Sequence, residues 1–329
     1  MRALAKLMLM SVVVAAIWLA WAILAPIKPG LHTYVTIKAG SNTRQIGASL
    51  EQAGIIHSRT AFLIFHAFTG RRTLKAGEYE FIKPASLPDV YSRLARGDVF
   101  TRTVVIPEGF NIYDIASALE EAHLCSREDF IREASVDTKL IADLAPHAPS
   151  LEGFLFPDTY QFGRNQSPQE IAATMVKRFR QEAKLLGLTT NVSRTITMAS
   201  FVEKETRLSN ERPIVAGVFE NRLKMKMALA TDPSVIYAAE LAGGWKGVIH
   251  QSDLQRESPY NTYKYAGLPP GPIANPGRDA IAAAMHPAPT PYLYFVADNT
   301  GGHNFARTID QHNKNVAAFR KGIAKHMDR

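Results

Sequence analysis

One uncharged run, residues 7–25 (LMLMSVVVAAIWLAWAILA), constrains this chain more than any other feature. A helix rising about 1.5 Å per residue needs roughly 20 apolar residues to cross a bilayer, and this run supplies about that many. A cleaved secretory leader is the competing reading, because Ala20-Trp21-Ala22 has the small-x-small form of a cleavage site. The apolar core of a leader runs only about 7–15 residues, so the length favours an uncleaved anchor. Trp18 and Trp21 sit where an aromatic belt would meet the far interface. Arg2 and Lys6 precede the run and predict a short cytoplasmic N-tail with the body exported. Lys28 weakens the charge asymmetry, so the orientation leans on the shortness of that tail.

The full 329 residues carry Lys+Arg 38 against Asp+Glu 30, a net charge of +8. A basic body suits an anionic partner such as lipid headgroups, an anionic polymer or nucleic acid. Export past a membrane anchor argues against nucleic acid. Cys125 is the only cysteine, which excludes an intramolecular disulfide framework and a cysteine-built zinc site. Hydrophobic residues at 46% and charged residues at 21% exclude a wholly disordered chain.

Beyond the anchor the sequence changes texture. Residues 33–38 alternate like a strand, and 44–53 have helical spacing after the Ser41-Asn42-Thr43 cap, with Gly54 at the end. A helix over about 59–69, a turn and strand over 74–81, and a helix over 86–96 follow. A strand at 101–106 and a helix at 111–122, capped by Asn111, complete a small α+β region. From about 127 the pattern becomes mostly helical, with helices expected over 127–134, 168–187, 193–207 and 211–227. Past 228 the abundance of Pro, Gly, Asn and Tyr predicts loops and short elements. The expected fold class is α+β: a transmembrane helix and tail (1–28), a small α+β module (29–125), and a mostly helical domain with Pro/Gly-rich loops (126–329).

No Gly-rich phosphate loop, His-Glu-x-x-His or Gly-x-Ser-x-Gly occurs. His303 and His312 lack close metal-ligand spacing. The conspicuous chemistry is Glu203-Lys204-Glu205-Thr206 at the end of a predicted helix. Glu205 shares a helical face with Met198, Phe201 and Val202, while Glu203 falls on the line of Ile196 and Ala199. A carboxyl among apolar neighbours has a raised pKa, as a general acid near neutral pH requires. A solvated glutamate paired with Lys204 or Arg207 is the plain alternative. Downstream, Tyr260-Asn261-Thr262-Tyr263 precedes GLPPGPI at 267–273 and Asn275-Pro276-Gly277. Pro and Gly would make that stretch a stiff loop, and Tyr faces with Asn amides suit sugars.

At these residues the chain resembles the endolytic murein transglycosylases, the YceG-like family. The resemblance rests on ASFVEKET (199–206), Asn221-Arg222-Leu223, Thr231-Asp232-Pro233, Tyr260-Asn261-Thr262-Tyr263, GLPPGPI, His286-Pro287, YLYFVAD (292–298) and His303-Asn304-Phe305. Upstream, KAGEY (75–79), EGFLFPDTY (152–160) and the single apolar span match in order. The resemblance implies a LysM-like N-terminal module and a catalytic domain that cuts peptidoglycan glycan strands internally. It implies one glutamate as general acid and base, assigned to Glu205 with Glu203 as second choice, because Glu205-Thr206 resembles the Glu-plus-hydroxyl pair of lytic transglycosylases. The bond cut would be the MurNAc–GlcNAc β-1,4 link, giving a 1,6-anhydroMurNAc end and limiting strand length. Tyr260, Asn261, Asn221 and Tyr263 would contact substrate. No metal or cofactor is implied. The partners implied are peptidoglycan and, as a family trait, its synthases, at the bacterial inner membrane with the body in the periplasm. Phe201 departs from the smaller aliphatic residue expected there and would alter the contacts beneath the site. A non-catalytic murein-binding scaffold is the alternative from a different class.

A reporter fused to the C-terminus is expected to be active only when exported. Recovery of a soluble form beginning near residue 23 would instead identify a cleaved leader.

Overall fold

The computed structural model describes residues Arg2–Met327. By contacts the chain divides into two compact units, one running through Arg102 and including Gln161–Asn165, the other comprising Thr103–Tyr160 and the chain from Gln166 onward.

In the first unit, α1 (Arg2–Leu24) is the apolar run, and it is the one described helix long and apolar enough to cross a membrane. Its final turn is different from the rest. Ala22 is buried in the unit's core, and Leu19 and Ile23 pack against that core. Trp21 lies against the His57 ring at 4.2 Å, and His57 Nε2 meets the Ala25 carbonyl at 3.2 Å. The elements that follow are β1 (Thr33–Ile37), α2 (Thr43–Gln52), α3 (Arg59–Phe68), β2 (Gly77–Phe81) and α4 (Leu87–Arg96). Strands β1 and β2 pair antiparallel, with Val35 opposite Tyr79. The inward residues Val35, Ile37, Tyr79 and Phe81 meet Leu50, Phe62, Val90 and Leu94 from the helices. Asn42 caps α2 through a reciprocal box with Gln45, as the sequence predicts. Gly77 is obligatory: its φ is 145°, and a Cβ there would lie 2.3 Å from Val99.

Strands β3 (Arg102–Ile106) and β4 (Asp158–Phe162) lie in the second unit except at Arg102 and Gln161–Phe162, and this unit also holds α5 (Ile112–Glu121), α6 (Arg127–Val136) and α7 (Pro168–Leu186). It continues with α8 (Val192–Glu205), α9 (Arg212–Lys224), α10 (Asp232–Leu241), α11 (Gln251–Leu254) and α12 (Arg278–Met285). The hairpin strands β5 (Tyr294–Ala297) and β6 (His303–Ala306) and the long α13 (Ile309–Met327) close it. Strands β3 and β4 pair with each other. The contact boundary lies after Arg102 rather than near 125, because α5 and α6, on either side of 125, pack together within this unit. The chain past 228 is more regular than its composition suggests. Asp232-Pro233 opens α10, since proline is tolerated in a first turn, and α13 is a polar helix of 19 residues. Residues 256–277 do lack helix and strand.

Glu152 fastens three separate stretches of this unit. It is 1% exposed. Its Oε2 accepts the Ile112 N–H at 3.0 Å, at the first residue of α5, and its Oε1 accepts Asn275 Nδ2 at 2.8 Å. Asn275 in turn accepts the Leu155 N–H at 2.9 Å and donates to the Phe110 carbonyl. Burial outweighs these hydrogen bonds and pushes the Glu152 carboxyl up to about 8. A carboxyl raised on folding contributes stability that is present below its unfolded value, near 4.5, and lost as pH rises through about 8. Glu152→Gln cannot exchange that proton. The unfolding free energy of the parent should therefore fall relative to the variant between pH 5 and 8, by at most about 1.4 kcal/mol per pH unit. A pH-independent difference in chemical denaturation would show that Glu152 folds as a carboxylate.

Candidate active site

Helix α8 is buried from Thr195 through Val202, packed against α9, α10 and α12. Ser200 ties its interior to the Pro-rich loop by accepting the Ile273 N–H at 3.1 Å. Phe201 is fully buried and meets Phe219 edge-on at 6.2 Å, and Phe219 meets Phe295 of β5 at 5.8 Å. Phe201 thus joins α8 to the β5–β6 hairpin through Phe219. At its C-terminal end α8 presents Glu203 and Glu205 on different faces, and the two environments differ.

Glu203 is enclosed by partners. Its Oε1 accepts Arg212 Nη2 at 2.8 Å, with side chains 5% and 7% exposed respectively. Its Oε2 accepts the Gly277 N–H at 2.9 Å. Glu108 and Asp279 also approach Arg212, at 3.5 Å and 3.7 Å. A Cβ at Gly277 would strike the Glu108 side chain in its present position. Desolvation raises the Glu203 pKa, against the Gly277 hydrogen bond and the Arg212 charge. Both carboxylate oxygens are occupied, and the group is an internal tie.

Glu205 has no hydrogen-bond or ion-pair partner among the described residues and faces a cleft of about 690 Å³. Its walls include Arg222, Asp232, Tyr263, Tyr294, His303 and His312. Burial above all, helped by the Asp232 charge and opposed by the Arg222 charge, pushes the Glu205 carboxyl up to about 7. As the last residue of α8 it also sits at the negative end of the helix dipole, which disfavours ionisation. Arg222 is held rigidly: Nε donates to the Leu293 carbonyl at 2.7 Å and Nη1 to the Leu229 carbonyl at 2.6 Å. Its guanidinium lies 5.4 Å from the centre of the Tyr294 ring. Asp232 Oδ1 accepts the Tyr263 hydroxyl at 2.7 Å.

The other residues suggested by the sequence divide. Tyr263 lines the cleft. Tyr260 does not; it is buried, with its ring 5.0 Å from that of Tyr237. Asn261 is fully buried, and its amide donates to the carbonyls of Leu254 and Arg256 at 3.0 Å and 2.9 Å. Its Oδ1 accepts the Tyr263 N–H at 3.1 Å, so it shapes the turn that carries Tyr263. Asn221 donates to the carbonyls of Thr290 and Tyr292 at 2.7 Å and 3.0 Å, fixing the segment that enters β5. These asparagines hold the cleft walls; their amides are already engaged by backbone. Arg222, Asp232, Tyr294 and His303 fall in stretches the sequence singles out, but spacing alone does not assign them to the wall facing Glu205. Among the described residues, no cluster of three or more His, Cys, Asp or Glu could hold a metal ion.

Asp232→Asn removes a negative charge facing Glu205 and should lower the Glu205 pKa from about 7. A carbon-detected NMR titration of the Glu205 carboxyl measures this. An unchanged or raised pKa would mean that Asp232 does not act on it.

A family model described as the YceG-like family matches residues 35–318. The chain is 34% identical over 317 residues to an endolytic murein transglycosylase of Bacillus subtilis, covering 89% of this chain and 86% of that protein. It is 32% identical to the endolytic murein transglycosylase of Streptococcus pneumoniae, over 89% of this chain but only 60% of that longer protein. The crystal structure of a yceG-like protein from Listeria monocytogenes superposes with a TM-score of 0.56 at 33% identity, covering 86% of this chain and 98% of that one. With a match from the first strand into the last helix, this chain belongs to the YceG-like family.

Proposed function

We propose that the protein is a peptidoglycan lyase, an endolytic transglycosylase like the relatives bearing that name, and that Glu205 performs its acid and base steps. The observation that carries this reading is an unpartnered carboxyl, raised to about 7, on the wall of an open cleft. Near neutral pH such a group is populated in both protonation states, which suits one residue serving twice. Protonated Glu205 donates to the glycosidic oxygen as its bond to C1 of N-acetylmuramic acid breaks. GlcNAc departs with a free 4-hydroxyl. The carboxylate then takes the proton of the C6 hydroxyl as that oxygen bonds to C1. The product is a 1,6-anhydro end, and Glu205 is protonated again. Because the nucleophile belongs to the same sugar, proximity replaces a bound water and a second catalytic carboxylate. Asp232 is a negative group suited to the positive charge that develops at C1. A cleft of this volume accepts a short stretch of glycan. Internal cleavage would limit strand length, and coupling to peptidoglycan synthases is a natural partnership for it.

The β-α-α-β order of the first unit supports a LysM-like role in holding glycan. Helix α1 serves as an uncleaved inner-membrane anchor with the body in the periplasm. The basic Arg2 and Lys6 support that orientation. Burial of Ala22 in the unit's core supports retention of the helix, because cleavage beside it would remove core contacts.

Glu205→Gln keeps shape but cannot exchange the proton. Incubated with purified sacculi, it should lose anhydro-ended muropeptides by about 10²–10⁴-fold or more, read by mass spectrometry, with its melting temperature preserved. Glu203→Gln should weaken a buried ion pair, costing on the order of 1–3 kcal/mol of stability, while its folded fraction retains cleavage. An inactive Glu203→Gln beside an active Glu205→Gln would reverse the assignment. Activity in both would overturn single-carboxyl chemistry on this helix.

A further inference from the structure

The chemistry above uses Glu205 but leaves one polar device in the same cleft without a role. His303 opens β6 and lines the cleft with Glu205. Its Nδ1 lies 2.7 Å from Glu211 Oε2, and its backbone N–H donates to Glu211 Oε1 at 3.0 Å. The two side chains are 13% and 12% exposed. Thr206, the residue after Glu205, donates its hydroxyl to the same Glu211 Oε2 at 3.3 Å. Glu211 therefore ties the end of the catalytic helix to the imidazole. The Phe295 ring stands edge-on to the imidazole at 5.4 Å and limits its rotation.

This arrangement fixes the tautomer. A carboxylate on Nδ1 requires the proton there, which leaves a lone pair on Nε2 of the neutral ring. Nε2 has no partner among the described residues and is not sealed from solvent. The imidazole is thus held on one side, blocked against turning by an aromatic, and open on the other side as an acceptor in the cleft. Orienting one ring nitrogen with a carboxylate is how proteins present the other to a ligand.

We infer that His303 Nε2 accepts a hydrogen bond from a hydroxyl of the N-acetylhexosamine polymer lying in the cleft, and that Glu211 is the positioning residue that aims it. The inference rests on the proposed glycan substrate. It also accounts for Thr206, whose hydroxyl fixes Glu211, so that the Glu-Thr pair at the end of α8 sets both the proton-transfer group and the substrate acceptor.

Two variants of the full-length protein in detergent separate this from a structural role. His303→Asn can still donate to Glu211 but has no atom at the Nε2 position. His303→Gln can return an acceptor near that position. With soluble uncrosslinked glycan strands, His303→Asn should lose about tenfold or more in kcat/KM, the size expected for one hydrogen bond. His303→Gln should recover most of that loss, and both should melt near the parent temperature. Parent-like cleavage by His303→Asn overturns the inference, as does an equal loss in both variants. A second readout does not need turnover. In Glu205→Gln labelled with ¹⁵N-histidine, adding the same strands should move the His303 Nε2 resonance while Nδ1 keeps its hydrogen-bonded shift. An unmoved Nε2 in the strand-saturated protein overturns the inference even if the parent cleaves. A moved Nε2 with no cleavage by the parent sustains it and instead sinks the lyase reading.

Discussion

Desolvation of a carboxyl at the end of a buried helix is the constraint on which the candidate site depends. Helix α8 is enclosed by neighbouring helices almost to its last turn. Its final residue, Glu205, therefore leaves water without gaining a partner. A buried carboxyl that finds neither a cation nor donors binds a proton more readily. The Arg222 charge opposes the rise, but its guanidinium is engaged by two backbone carbonyls and forms no ion pair with Glu205 among the described residues. Glu203, only two residues away, is also enclosed but is engaged by Arg212 and Gly277. One sequence segment thus supplies a structural tie and a free acid, and the difference lies in what each side chain meets.

Much of the surrounding sequence keeps the cleft walls in place. Asn221, Asn261 and Asn275 each use the amide to hold backbone that carries no regular structure of its own. Loop backbone that leaves water needs partners for its N–H and C=O groups, and an asparagine can satisfy a donor and an acceptor at once. The Tyr263 and Tyr294 walls depend on these ties. Glu152 does the same at a deeper level by joining the start of α5 to the 275 loop. Its burial makes that joint sensitive to pH, in the direction opposite to a solvent-exposed ion pair.

Where the sequence was legible, local physics was sufficient. Caps at Asn42 and Asn111 mark helix starts that the structure keeps, because a short polar side chain satisfies the first free N–H groups whatever lies further away. The region past 228 was less legible. Proline in the first turn of α10 looks the same in sequence as proline in a loop, and α13 has too polar a surface to announce itself by periodicity. The boundary near 125 reflects composition, whereas the contact boundary after Arg102 reflects which helices share a core. Composition does not carry that information.

The sequence by itself determined the apolar span, the two-part α+β texture, the exclusion of disulfide chemistry, and the carboxylates of Glu203 and Glu205 on different helical faces. Each follows from residue type or from a spacing of a few residues along one element. Tertiary structure decided that Glu203 is tied to Arg212 and that Glu205 is open to the cleft. It also decided that Asn261 turns inward while Tyr263 faces the cleft, and that Glu211 holds His303 from 92 residues away. Those outcomes depend on which groups from distant segments reach a side chain first, and on how much water they displace. Helical periodicity says which way a side chain points; only the folded chain says what is waiting there.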